Sequence, residues 1–232
     1  MTAGRGAPET SAPDDGAPLV FLVAGEPSGD LLGARLMAAL EQESGGRARF
    51  AGVGGSAMTA AGLKSLYPMA DLSHMGLAEV VPHLPRLIRR LGETVTAIAR
   101  LRPDIVVTID SPEFSFRVAR SARRLGIPLV HYVAPQVWAW RPGRARRLAQ
   151  RVDHLLVLLP FEPAFFERFG LACSFVGHSV LESGAARGDG AAFRRRHGLA
   201  ESTPLVAVLP GSRGGEVRRL LPVFGPALAR LA

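Results

Sequence analysis

Two carboxylates stand just past the ends of apolar runs, where an α/β sheet offers its ligand-binding edge. Asp110 follows DIVVTI (104–109) and opens the stretch Asp110-Ser111-Pro112-Glu113. A carboxylate at the tip of a buried strand is well placed to act as a general base. The same residues also make a helix start, with Asp110 or Ser111 as the cap and Pro112 as the first helical residue. Glu26 follows LVFLVA (19–24) within Gly25-Glu26-Pro27-Ser28-Gly29-Asp30. Its glycines permit a tight turn and close backbone approach. The free N–H groups at the start of the following helix could hold an anion. The plainer reading is a strand–helix turn capped by Ser28 or Asp30. The spacing matches neither the dinucleotide fingerprint nor a P-loop.

Further along, Gln136, Trp138, Trp140 and Arg141 cluster after the run IPLVHYV (127–133). Two indoles there either stack on a sugar or line an acyl pocket, or else serve as packing. Gly211, Ser212 and Arg213 follow PLVAVLP (204–210); backbone N–H groups plus a guanidinium suit a diphosphate, and an ordinary glycine turn is the alternative. His131 and His178 read as hydrogen-bonded structural residues. No His or acidic residues recur at ligand spacing, so no bound metal is expected. Segment 75–101 is amphipathic: Leu84, Leu87, Ile88, Leu91, Val95 and Ile98 recur at helical spacing with Arg86, Arg89 and Arg90 between them. Such a segment suits an anionic membrane surface, or simply packs on a core.

The elements that must position these residues are legible as alternation. Apolar runs at 19–24, 48–53, 104–109, 127–133, 153–159, 173–177 and 204–210 are nearly continuous, as strands buried on both faces are. Helix candidates lie between them at 29–42, 83–101, 113–125, 141–151 and 161–169, and one begins at 214. The pattern predicts a doubly wound α/β fold with a mostly parallel sheet. Residues 1–17 are small and polar and read as a disordered tail. A boundary is expected near 182–200, giving an N-terminal domain over 18–182 and an incomplete second one over 183–232. The 232 residues are 47% hydrophobic and 21% charged, the range of a globular protein with a sizeable core. The formal charge is +8 and Lys64 is the one lysine, so arginine dominates and an anionic partner fits, although a GC-rich coding sequence would also enrich arginine. One cysteine, Cys173, forms no intramolecular disulfide, in keeping with a reducing compartment. No run reaches the roughly 18 apolar residues that span a bilayer.

The stretches VAGEPSGDLLGARL (23–36), FAGVGGSAM (50–58), HMGLAEVV (74–81), PDIVVTIDSPEF (103–114), HYVAPQVWAWR (131–141), LPFEPAFF (159–166), FVGHSV (175–180) and LPGSRGGEV (209–217), in this order, resemble the lipid-A-disaccharide synthase family. The resemblance covers about 19–225. It implies a GT-B-like fold of two Rossmann-like domains facing a cleft. It also implies an inverting transfer of diacylglucosamine from its UDP-linked form to the 6-hydroxyl of 2,3-diacylglucosamine 1-phosphate. UDP-2,3-diacylglucosamine would be a substrate rather than a cofactor, and neither cofactor nor metal is expected. Asp110 matches the family's essential carboxylate and Glu26 a second one that positions hydroxyls. Gly211, Ser212 and Arg213 match the phosphate-side loop. Ser28, Gly29, Gln136, Trp138 and Arg141 join them as substrate-binding residues. Residues 75–91 match a segment that meets the phospholipid surface, which places the protein in the cytoplasm against the inner membrane. No nucleic acid is expected, and a homodimer of the full-length protein is left open. Glu113 stands where the family pattern reads Asp. The family's second domain extends well beyond Ala232, so the chain is expected to be cut short within it and its own activity is left open. The competing readings are another GT-B sugar-nucleotide enzyme and an inactive lipid-binding fragment.

Overall fold

The computed structural model describes residues 16–72, 84–137, 143–181, 184, 187–211 and 214–231. Six strands form one parallel sheet: β1 (Leu19–Ala24), β2 (Arg49–Val53), β3 (Ile105–Ile109), β4 (Leu129–Tyr132), β5 (His154–Val157) and β6 (Ala172–Phe175). Their spatial order is β2-β1-β3-β4-β5-β6. β1 and β3 are buried along nearly their whole length because helices cover a parallel sheet from both sides, whereas the edge strand β6 stays largely exposed. The helices of this part are α1 (Pro27–Glu43), α2 (Ser56–Ala60), α3 (Leu84–Leu101), α4 (Pro112–Arg124), α5 (Gly143–Ala149) and α6 (Glu162–Phe166).

Alternation along β1 divides the core in two. Phe21 and Val23 join Val106, Leu129, Leu155 and Val157 on one face, packed by Ile98 of α3, Val118 and Ala122 of α4, Leu148 of α5 and Phe166 of α6. Val20 and Leu22 join Val107 and Ile109 on the other face, packed by Leu32 and Met37 of α1 and Met58 of α2. Successive strand residues point to opposite faces, so one strand feeds both cores. Each fully buried large side chain contributes about 1.5–3 kcal/mol. The winding reverses once: the chain steps from β1 outward to β2, then back across β1 to β3, and continues one way to β6. Gly52 makes the first pairing feasible. Its φ is +135°, and a Cβ there would overlap the backbone of Leu22 on β1.

The chain divides into two compact units, the first reaching Val180 and the second running from Leu181. Two helices are described in the second, α7 (Gly190–His197) and α8 (Gly214–Leu228), and none of their residues is buried. Asp189 caps α7, its Oδ1 accepting from Ala192 N–H at 2.8 Å, and Gly198 closes it in the left-handed region. The strand expected over 204–210 is absent. Those residues carry no ladder, and Leu205 and Leu209 are 53% and 82% exposed. A strand is defined by a neighbour to pair with, and among the described residues of this unit there is none. Pro222 and Pro226 lie inside α8, where each removes a backbone donor.

Smaller differences have local causes. The run 127–133 forms a strand only over 129–132, because Val133 turns to φ +78°. The 161–169 candidate is α-helical to Phe166 and finishes as a 3-10 turn over Glu167–Phe169, stopped by Gly170 in the left-handed region.

Candidate active site

The reversal of winding opens a crevice between β1 and β3, the position where ligands sit in open α/β sheets. Ala24 and Ile109 are register partners, so Gly25-Glu26 and Asp110-Ser111 leave the sheet side by side. Pro27 starts α1 and Pro112 starts α4. Two helix N-termini therefore begin at the same crevice, each with the proline that suits a first turn.

Asp110 is held from several directions. Its backbone N–H donates to the Tyr132 carbonyl at 3.0 Å. Its own Oδ1 accepts from Ser111 N–H at 2.8 Å, and its Oδ2 accepts from Ser28 Oγ at 3.2 Å. Its carbonyl accepts from Ser115 Oγ at 2.8 Å. The carboxylate is half-buried and its Ser28 partner is exposed, so it opens to the rim rather than into packed interior. Ser111 is the N-cap residue of α4, as one reading of the sequence has it, but its side chain makes no capping bond.

The backbone here is strained. Asp110, Ser111 and Val133 have φ of +54°, +44° and +78°. Aspartate tolerates the left-handed region; a β-branched valine is a true outlier. Each such residue costs on the order of 1–3 kcal/mol, and strain of this kind clusters at functional sites. Gly25 permits the close packing: a Cβ there would lie 2.5 Å from Ser111 Oγ. Gly29 lets α1 approach the tip of β3, where a Cβ would meet the Ile109 carbonyl at 3.3 Å.

Glu26 is the N-cap residue of α1 and half-buried. The crevice therefore gathers Glu26, Ser28, Gly29 and Asp110. The expected cap by Ser28 or Asp30 is corrected. No side chain caps α1. Asp30 is buried and caps α2 instead, taking N–H bonds from Gly55 (2.7 Å), Ala57 (2.8 Å) and Met58 (3.0 Å). A carboxylate satisfied by three amides is structural here. The only sequence sign of it was the Gly54-Gly55-Ser56 turn that it serves.

Gln136 is exposed in the loop after β4, between buried Ala134 and Val137. Trp138 and Arg141 lie outside the described residues, as do Ser212, Arg213 and the 75–83 part of the proposed membrane segment. Gly211 belongs to the second unit and has φ +107°.

His131 sits in β4 beneath the rim. Its Nδ1 lies 2.8 Å from Thr108 Oγ1, across the β3–β4 pairing, and its ring tilts against Phe116 at 5.5 Å. Burial pushes its pKa down to about 4, so it is neutral near pH 7, as its structural reading requires. His178 is exposed and its Nδ1 accepts from Val180 N–H at 3.1 Å. Among the described residues no group of His, Cys, Asp and Glu gathers as a metal site.

The base of α3 is fastened by charge. Arg90 bonds Asp71 Oδ2 through Nη2 at 2.7 Å and Nε at 2.8 Å, reaches Glu93 at 2.6 Å, and lies 4.6 Å over the Tyr67 ring. The Arg90 hydrogen bond holds the Asp71 carboxyl below its usual range. Burial raises the Tyr67 phenol to about 12, and its hydroxyl shares a 2.6 Å hydrogen bond with Thr94. In the same helix Leu84 and Ile88 remain exposed, at 40% and 57%.

The chain matches the model described as lipid-A-disaccharide synthetase over residues 20–232. It is 59% identical over 216 residues to the lipid-A-disaccharide synthase of Rhodospirillum centenum, covering 92% of this chain and 54% of that protein. The Paramagnetospirillum magneticum enzyme of the same name is 53% identical over 216 residues, covering 92% and 55%. The chain thus spans about half the length of the curated relatives it matches. Among solved structures it is similar to one described as the S. aureus MnaA–UDP co-structure, with a TM-score of 0.50 and 16% identity over 75% of this chain and 47% of that one. At that identity the likeness concerns the GT-B-type fold alone. The chain belongs to the lipid-A-disaccharide synthetase family.

Proposed function

We propose that this chain supplies the acceptor-side, catalytic-base half of an inverting glycosyltransferase. The reaction joins UDP-2,3-diacylglucosamine to 2,3-diacylglucosamine 1-phosphate and yields the tetraacyldisaccharide 1-phosphate and UDP. The observation that carries this reading is the Asp110 carboxylate, anchored at the switch point of the sheet and open to the rim, in a chain of this family. In the proposed step the acceptor 6-hydroxyl attacks the anomeric carbon from the face opposite the diphosphate. The C1–O6 bond forms, the C1–O bond to the diphosphate breaks, and the hydroxyl proton passes to Asp110. The hydrogen bonds from Ser111 N–H and Ser28 Oγ hold the carboxylate in place. Glu26 positions sugar hydroxyls, and Ser28, Gly29, Gln136, Trp138 and Arg141 complete the acceptor side. By the family resemblance Gly211, Ser212 and Arg213 are assigned to the diphosphate, whose growing charge N–H groups and a guanidinium would offset. The scheme assigns no step to a metal or cofactor; UDP leaves as product.

Acylated substrates reside in the bilayer, and we place the protein on the cytoplasmic face of the inner membrane. No helix among the described residues is long and apolar enough to cross a membrane. Exposed Leu84 and Ile88, flanked by Arg86 and Arg89, support contact with the surface instead.

The test joins this chain to the C-terminal half of the Rhodospirillum centenum relative and measures UDP release and disaccharide formation from the two acylated sugars. Asp110→Ala should lower turnover by about 10²–10⁴-fold while UDP binding persists. Undiminished turnover would remove the base assignment. Turnover of unacylated UDP-N-acetylglucosamine in place of the acylated donor would redirect the substrate assignment.

A further inference from the structure

The two helices that start at the crevice begin in different ways. Glu26, the cap residue of α1, is extended, with φ −137° and ψ 157°. Asp110 and Ser111, the two residues before Pro112 of α4, are both left-handed, at φ +54° and +44°. Asp30 and Ser115 hold equivalent places, each the fourth residue of its helix. The backbone N–H of each donates to the carbonyl of the cap residue, Asp30 to Glu26 at 2.9 Å and Ser115 to Ser111 at 3.1 Å. Their side chains then part. Asp30 leaves α1 and caps α2. The Ser115 hydroxyl turns back and donates to the Asp110 carbonyl at 2.8 Å.

That hydrogen bond has an unusual reach. A serine inside a helix commonly bonds the carbonyl three or four residues before it. Ser115 gives its N–H to the carbonyl four residues back and its hydroxyl to the carbonyl five residues back, outside the helix. The second bond is open because two successive left-handed residues fold the chain back and bring the Asp110 carbonyl within reach. One residue, 1% exposed, therefore ties down both strained peptides. The turn is held from its other sides as well. The Tyr132 carbonyl takes the Asp110 N–H, and Gly25 leaves room for the Ser111 side chain. A left-handed pair of non-glycine residues persists only where its surroundings over-determine it. Ser115 supplies that constraint from the helix side.

We propose that Ser115 is a positioning residue for the base: its hydroxyl holds the Asp110–Ser111 turn in its left-handed form and so aims the Asp110 carboxylate at the rim. The catalytic part rests on the reading of Asp110 as base; the conformational part stands without it. Ser115 touches no substrate in this scheme and acts through the backbone. Once the Asp110 carbonyl is released, the turn relaxes toward the negative φ that non-glycine residues prefer. The carboxylate then leaves the place where Ser28 Oγ and Ser111 N–H meet it. A misplacement of about 1 Å at a reacting group costs on the order of a hundredfold in rate. The start of α1 supplies the contrast. There the equivalent side chain serves another helix, and the extended Glu26 carries no strain that needs holding.

The experiment compares Ser115→Ala with the parent in two settings. In this chain joined to the C-terminal half of the Rhodospirillum centenum relative, S115A should lower kcat by about tenfold to a hundredfold and leave KM for both acylated sugars within about twofold. In the chain by itself, labelled with carbon-13 and nitrogen-15, the Cα and Cβ shifts of Asp110 and Ser111 should move from the left-handed toward the extended range. Ala122→Gly, two turns further along the same helix, is the control for stability alone. It should lower the thermal midpoint by a few degrees, as S115A does, yet leave kcat and these shifts unchanged. Added to D110A, S115A should cause no further loss of turnover, because Ser115 acts only through Asp110. Undiminished kcat in S115A beside an impaired D110A overturns the positioning role. So do unmoved shifts, or a loss in S115A that adds in full to that of D110A. Undiminished turnover in D110A removes the base assignment instead, and moved shifts in S115A then still uphold the hold on the turn.

Discussion

Two segments of this chain have the same plan, an apolar run, a glycine turn and a helix, yet they end differently. LVFLVA followed by Gly25–Gly29 and α1 becomes an interior strand of a sheet, paired on both sides and buried. PLVAVLP followed by Gly211 and α8 forms a helix but no strand, and its apolar residues face solvent. The helices agree because a helix satisfies its backbone internally. The strands disagree because a strand satisfies its backbone only through neighbours. Residues 19–24 have Arg49–Val53 and Ile105–Ile109 within reach; residues 204–210 have no partner strand among the described residues of their unit. The comparison teaches that a strand read from one run of residues is a statement about other runs.

Amide hydrogen exchange sets the two segments apart most widely. The amides of Val20–Ala24 should exchange only through opening of the whole sheet, by orders of magnitude more slowly than those of Leu205–Leu209. Equal protection of the two segments would abolish the contrast. Removing a partner should turn the first segment into the second: Gly52→Val drives a side chain into the Leu22 backbone and should cost more than about 3 kcal/mol, read as a lowered thermal midpoint and loss of protection in β1. A tolerated valine would show that the β1–β2 pairing is not what secures β1.

A pH titration of stability locates the sheet's contribution through His131. The folded pKa is about 4 and the unfolded one about 6.5, so the unfolded chain binds the proton first. The neutral buried ring therefore contributes its full stability above about pH 6.5, and that is lost progressively as pH falls toward 4, on the order of 2–3 kcal/mol. His131→Gln should flatten this part of the profile for the first unit while leaving α7 and α8 unaffected. The smallest expected effect is a gain. Val133→Gly relieves φ +78° at the end of β4 and should stabilise the first unit by about 1 kcal/mol, less the entropy that glycine adds to the unfolded chain. A loss of stability would mean that the Val133 side chain contributes more by packing than its backbone costs.

Much of the site was legible in advance because α/β chemistry collects just beyond strands, so Asp110 and Glu26 could be found from where apolar runs stop. What they share was not legible. The separation of 82 residues from Ser28 to Asp110 is closed only by the crossing of the sheet, and nothing local announces that hydrogen bond. Asp30 reads as a cap for its own helix and serves another, because three amides of a turn 25–28 residues away reach it first. Val133 looks like an ordinary strand residue, and only the geometry beneath the rim turns it to a positive φ.

The sequence by itself determined the alternation of helix and strand, the prolines that start α1 and α4, and the family, since these depend on side-chain period, ring closure and residue identity within short windows. The tertiary structure alone decided which runs became strands, which carboxylate faces the crevice, and which helices share a layer. The reason is physical. Hydrogen-bond ladders, close approaches such as Gly25 to Ser111, and the bonds of Asp30 to the amides of Gly55, Ala57 and Met58 all join residues far apart in the chain, and they exist only once the sheet has fixed its order.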